Sequence, residues 1–102
     1  MGRRGYRMVT SNYRCRMGEI DLIAREGGYL VFVEVRCKRT GGFGSPAESV
    51  DAVKQQKIAA AAQHYLDAQG IEDQACRFDV VEVVAEGRGL RVSDVIKDAF
   101  SL

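Results

Sequence analysis

The sequence predicts one α/β domain, a mixed β-sheet with one long helix packed on it. Three observations predict it. Two alternating apolar runs, 18–26 and 29–38, are joined by Gly27-Gly28, the pattern of a β-hairpin. A stretch ending at Gly70 places Val50, Val53, Ile58, Ala61, Ala62, Tyr65 and Leu66 at helical spacing. A valine-rich run, 76–86, follows, so the helix crosses over between two strands of the same sheet. With 102 residues, 46% of them hydrophobic, the chain can bury one modest core and not two, so residues 1–102 are expected to be a single domain.

Taken in order, residues 5–14, with Tyr6, Met8, Val9 and Tyr13, read as a first strand, and the hairpin follows. Gly41-Gly42-Phe43-Gly44 is a connector; no Gly-Lys-Ser/Thr follows, so it is not a nucleotide-binding loop. Ser45 is placed to cap a helix, Pro46 suits its first position, and Glu48 closes the capping box. That helix is expected to run to Gly70, with a bend near Asp51. Its alanines allow close approach to the sheet. After the strand at 76–86, Gly87-Arg88-Gly89 makes a turn. Leu90-Arg91-Val92 reads as a short strand, and Asp94 to Phe100 as a short helical piece capped by Ser93.

No apolar run approaches the length of a membrane span, and the N-terminus has no signal-peptide pattern. Cys15, Cys37 and Cys76, an odd number at wide intervals, fit a reduced, cytoplasmic protein and lack the short spacing of a zinc site. The net charge of +1 conceals an asymmetry. Residues 1–57 carry eleven Lys/Arg against six Asp/Glu, and residues 58–102 carry four against eight. The early half is therefore the candidate phosphate-facing side.

Each strand of the hairpin holds an acid where Val or Ile is expected. An acid there is costly unless it is paired or bound to metal. Strand alternation puts Leu30, Phe32, Glu34, Arg36 and Lys38 on one face, and Glu19, Asp21 and Ile23 on one face of the neighbouring strand, with Ile20, Leu22 and Ala24 opposite. Asp21 and Glu34 can then meet, as carboxylates do around a hard divalent cation. The plainer alternative is an ion pair of either acid with Arg36. Arg36, Lys38 and Arg39 flank this place. Lys54 and Lys57, near the start of the helix, are positioned to reach a phosphate backbone or to lie on a solvated face. Asp79 reads as a structural acid that anchors Arg77, and His64 as a surface or packing residue.

At these residues the chain resembles a known group. An Asp, a short turn, then Glu-x-Lys on an apolar strand is the PD-(D/E)XK nuclease pattern. The wording here, Gly18-Glu19-Ile20-Asp21-Leu22-Ile23 followed by Val31-Phe32-Val33-Glu34-Val35-Arg36, resembles the bacterial YraN-like family, which is endonuclease-like and largely uncharacterised. The resemblance continues through Gly44-Ser45-Pro46, the helix from Lys54 to Leu66, Arg77-Phe78-Asp79-Val80-Val81 and Ile96-Lys97-Asp98-Ala99-Phe100, so it covers nearly the whole chain.

The resemblance implies a restriction-endonuclease-like fold and metal-dependent hydrolysis of phosphodiester bonds in DNA or structured nucleic acid. It implies Mg²⁺ or Mn²⁺ on Asp21, Glu34 and the Val35 carbonyl. Arg36 and Lys38 would act on the attacking water or the developing charge, and Glu19 and Gln56 would add hydrogen bonds around the ligands. Arg39, Lys54 and Lys57 would meet the nucleic acid. Two departures stand out. Family members begin with a helix, and this sequence, read from Met1, is expected to lack it; the sheet face it would cover is expected to be partly bare and open to a homodimer. Arg36 also replaces the motif's lysine, and arginine stays protonated, so it cannot be a general base. The competing expectation is a nucleic-acid-binding or assembly module that keeps the fold without the reaction.

Overall fold

Chain order and sheet order coincide: strands β1 (Arg7–Cys15), β2 (Gly18–Glu26), β3 (Tyr29–Lys38), β4 (Cys76–Glu86) and β5 (Gly89–Phe100) lie side by side as β1-β2-β3-β4-β5. The structure is a computed structural model that describes residues 5–38 and 51–100. β1/β2, β2/β3 and β4/β5 are antiparallel, and β3/β4 are parallel, joined across helix α1 (Ala52–Gln69). The mixed α/β sheet with one packed helix is therefore the fold, and the hairpin and β4 keep their expected bounds. Gly27 makes the hairpin turn at φ 59°, a conformation costly for any residue with a Cβ.

Helix α1 is capped at both ends. The Asp51 carboxylate accepts the Lys54 backbone N–H at 2.8 Å, and Gly70 ends the helix at φ 65°. Asp51 is thus the N-cap of α1. The expected start at Ser45-Pro46-Ala47-Glu48 lies outside the described residues. Ile58, Ala61, Ala62 and Tyr65 face Ile20, Ile23, Leu30, Phe32, Phe78 and Val80 in the larger core cluster. Gly18 lets the helix come down on β2: a Cβ there would lie 3.0 Å from the Lys57 carbonyl oxygen.

The opposite face holds a second cluster, Tyr6, Ala24, Val31, Val33, Val81 and Val83, with Leu22, Val35, Val92 and Val95 at its margin. Val31 is 0% exposed, and Val33 and Val81 are each 1% exposed. The centre of this face is therefore buried, and its margin is partly exposed.

The C-terminal segment differs from expectation. Residues 89–100 are one long strand, with no terminal helix and no cap at Ser93. Register shifts fall between Glu82 and Val83 and between Phe78 and Val80, and Asp98 has φ 53°. Each irregularity moves the following residues to the other face. Val92 and Val95 consequently pack with one cluster, and Ile96, Ala99 and Phe100 with the other. Their spacing imitates a helix because a bulged strand has lost its simple alternation.

Candidate metal centre between β2 and β3

The site exists because β2 leaves β3. Their pairing runs from Glu26↔Tyr29 to Leu22↔Val33, whereas β3 continues along β4 to Lys38↔Val84. The residues that part company are Asp21 and Glu34. On the other side of β2, partners step from Ser11↔Leu22 to Tyr13↔Ile20, and Asn12 between them has φ 51°. Both strands change face there: Tyr13, Ile20 and Ile23 all join the helix-side cluster, while Leu22 and Ala24 lie on the far side. The expected grouping of Ile20 with Leu22 and Ala24 is therefore corrected. Strict alternation cannot pass through an irregularity.

At this irregularity Asp21 reaches across to β3. Its Oδ2 accepts the Val35 backbone N–H at 2.8 Å, in place of the strand partner that β2 no longer supplies. In an extended strand the N–H and C=O of one residue point to the same side. The Val35 carbonyl therefore opens on the same gap as Asp21.

Glu34 is on the helix-side face, beneath the first turn of α1, and is buried at 5% exposure. Its Oε1 takes the Lys54 ammonium at 2.6 Å and lies 3.5 Å from Arg36 Nη1. Burial lifts its carboxyl above the usual carboxylate range, and the negative charge of Asp21 adds to this. Lys54 and Arg36 oppose the rise without cancelling it. Two acids thus face one gap, and the more buried one is held with less compensation than its charge demands.

Donor chemistry fits a hard cation. Two carboxylates and a backbone carbonyl are oxygen ligands of the type Mg²⁺ and Mn²⁺ take, with waters completing the set. Among the described residues no group of three or more His, Cys, Asp or Glu side chains is arranged to hold a metal. Such a cation would accordingly rest on two side chains and the main chain.

The remaining expected residues separate. Glu19 is exposed and paired with Arg14 on β1 at 3.4 Å. Gln56 is exposed on α1, while Gln55, one residue earlier, is on the partly buried side with Lys54 and Ile58. Helical periodicity relative to Ile58 and Tyr65 carried that distinction. Lys57 is exposed one turn from Lys54. The Lys38 side chain and Arg39 lie outside the described residues. The sequence offers Lys54 as a phosphate contact or a solvated residue; the structure sets it on Glu34.

One acid was overlooked. Glu82 is 7% exposed, is the β4 partner of Arg36, and alternates with Phe78 and Val80, so it shares the Glu34 face. Ser93 Oγ donates to its Oε1 at 2.6 Å. Counting by two from Phe78 would have found it. No helix among the described residues is long and apolar enough to cross a membrane.

Comparison with known proteins adds a family. Residues 1–83 match the model of uncharacterised protein family UPF0102. A UPF0102 protein of Symbiobacterium thermophilum is 49% identical over 96 residues, covering 94% of this chain and 81% of that protein. One from Syntrophus aciditrophicus is 45% identical over 98 residues, covering 96% and 76% respectively. One from Aeromonas hydrophila is 55% identical over 80 residues, covering 76% of this chain and 62% of its own.

Proposed function

The chain belongs to uncharacterised protein family UPF0102, and from that premise we propose that it is a metal-dependent, endonuclease-like domain that hydrolyses phosphodiester bonds in DNA or a structured nucleic acid. The observation that carries this reading is the convergence of Asp21 and buried Glu34 where β2 leaves β3, with Glu34 held above the usual carboxylate range. Perturbed carboxylates of this kind cluster at functional sites.

In this reading Asp21, Glu34 and the Val35 carbonyl hold Mg²⁺ or Mn²⁺. When bound, the cation supplies Lewis-acid polarisation of a phosphodiester and a water of lowered pKa. The Asp21–Val35 hydrogen bond fixes one carboxylate to the backbone, so the ligand set is organised before the cation arrives. Arg36, half-buried on the Glu34 face, is a permanent cation placed to balance charge that develops on the phosphoryl oxygens. It does not take a proton. Lys54 and Lys57 bring two further positive charges to the same end of α1, where a nucleic-acid backbone would run.

The test is Mn²⁺-dependent cutting of single-stranded, duplex and branched DNA by the wild-type chain, Asp21→Ala and Glu34→Gln. Cutting only by the wild type supports the reading; equal cutting by all three rejects it. The second reading, a binding module without the reaction, is favoured by Arg36 standing where a general base would be needed. It predicts salt-sensitive DNA binding that is unchanged or stronger in Asp21→Ala.

A further inference from the structure

We infer that Lys54 is a stand-in for the divalent cation: ammonium and metal exclude one another at Glu34 Oε1, and the displaced Lys54 is delivered to a substrate phosphate. This rests on the carboxylate-site reading above and adds a role for a residue which the nuclease motif does not contain.

The geometry is specific. Lys54 Nζ is 2.6 Å from Glu34 Oε1, whereas Arg36 Nη1 is 3.5 Å away, so among the described residues the lysine is the nearer counter-charge of this acid. The Glu34 side chain is 6% exposed, so an ionised carboxylate there needs a cation at contact distance. The Lys54 side chain, by contrast, is 41% exposed. One member of the pair is fixed in the sheet and the other stands at the surface on a flexible four-carbon stem. The Asp51 cap anchors the backbone of Lys54 at 2.8 Å, so the stem pivots from a fixed point.

A divalent cation carries twice the charge and prefers the same oxygen. Two cations cannot share Oε1 closely without strong repulsion. Arrival of metal therefore releases the ammonium, whose nearest new environment is the mouth of the site and whose natural ligand there is a phosphate oxygen. The reverse also holds: a phosphate that draws Lys54 away leaves Glu34 open to metal. Metal and nucleic acid then favour each other's binding, as linkage requires.

Calorimetric titration of Mn²⁺ into the full chain, Lys54→Met, Lys54→Arg and Lys57→Met tests this, with circular dichroism as the check on folding. Lys54→Met should bind Mn²⁺ roughly tenfold tighter than wild type. Lys54→Arg should stay near wild type, and Lys57→Met within about twofold, because Lys57 has the charge without the contact. Unchanged or weaker binding by Lys54→Met overturns the inference, as does an equal gain in Lys57→Met, which would mean a general charge effect. Should Lys54→Met fold poorly, Lys54→Gln carries the same expectation. If Asp21→Ala abolishes binding while Lys54→Met leaves it unchanged, the carboxylate site stands and the lysine's role falls. If no chain binds Mn²⁺, both fall.

A second reading comes from DNA. With Mn²⁺ present, Lys54→Met should lower the slope of log K against log salt by about one; without metal the change should be smaller, since Glu34 then competes with the phosphate for Lys54. The same slope change in both conditions removes the exchange.

Discussion

Two buried acids on opposite faces of one sheet are treated in opposite ways. Asp79, on the face away from the helix, is 1% exposed and fully partnered. It accepts from Tyr6 Oη at 2.7 Å, from Arg77 Nε and Nη2 at 2.9 Å each, and from the Asp98 backbone N–H at 2.9 Å. Arg77 continues to Glu26 at 2.7 Å, and Lys97 closes the network on Glu26 at 2.8 Å. Bonds from Lys97 and Arg77 pull Glu26 below the usual carboxylate range, and Asp79 helps raise Arg77 above the ordinary guanidinium value. Even the left-handed turn at Asp98 contributes, because it belongs to the segment whose N–H reaches Asp79. Glu34 is nearly as deep, yet among the described residues its nearest counter-charge is a half-exposed lysine, and its carboxyl is held above the usual range. The first acid ties β4 to β5, to Tyr6 and, through Arg77 and Glu26, to β2. The second is kept at a cost that folding alone does not explain.

The comparison breaks most easily at Asp79. Asp79→Ala would leave the Tyr6 hydroxyl buried without its acceptor and Arg77 with Glu26 alone, so a loss of about 3–5 kcal/mol is expected in denaturant unfolding. Next comes Glu34→Gln. It removes a carboxylate whose ionised form opposes folding, so stability should be unchanged or higher while Mn²⁺ binding is lost. A loss as large as that of Asp79→Ala would mean that Glu34 is structural after all.

Acid titration sharpens the contrast, because the two regions carry opposite signs. Glu26 has a lowered value, so its contribution is present above the ordinary carboxylate value of 4.5 and fades as pH falls through the folded value. Glu34 has a raised value, so its penalty grows as pH rises from 4.5 through the folded value. Melting temperatures across this range should show Glu26→Gln losing stability at neutral pH and converging on wild type in acid. Glu34→Gln should gain most at neutral pH and likewise converge in acid. The smallest effect is expected from Lys97→Met, a half-exposed partner of Glu26, at about 1 kcal/mol or less.

Much of this was legible in the sequence. Alternation and the Gly27-Gly28 break set the hairpin to its residue bounds, and acids inside apolar strands marked Asp21 and Glu34. Asp79 and Arg77 were legible as a structural pair. What escaped was irregular. The face change at Asn12 and Asp21 put Ile20 beside Ile23 and left Glu19 on Arg14, because a period of two has no term for a residue in left-handed conformation. Bulges in β5 turned strand spacing into helical spacing. Lys54 on Glu34 is a tertiary contact across twenty residues of chain, and no local pattern encodes it. Glu82 is legible in the sequence by its parity with Phe78 and Val80.

The most direct measurement is calorimetric titration of Mn²⁺ into the wild-type chain beside Asp21→Ala and Glu26→Gln, one acid from each region. Binding by wild type and Glu26→Gln, with none by Asp21→Ala, is the predicted result: the gap between β2 and β3 is a metal site and the far-face network is not. Binding that survives in Asp21→Ala, or that disappears equally in Glu26→Gln, would contradict the assignment of the two regions to different tasks.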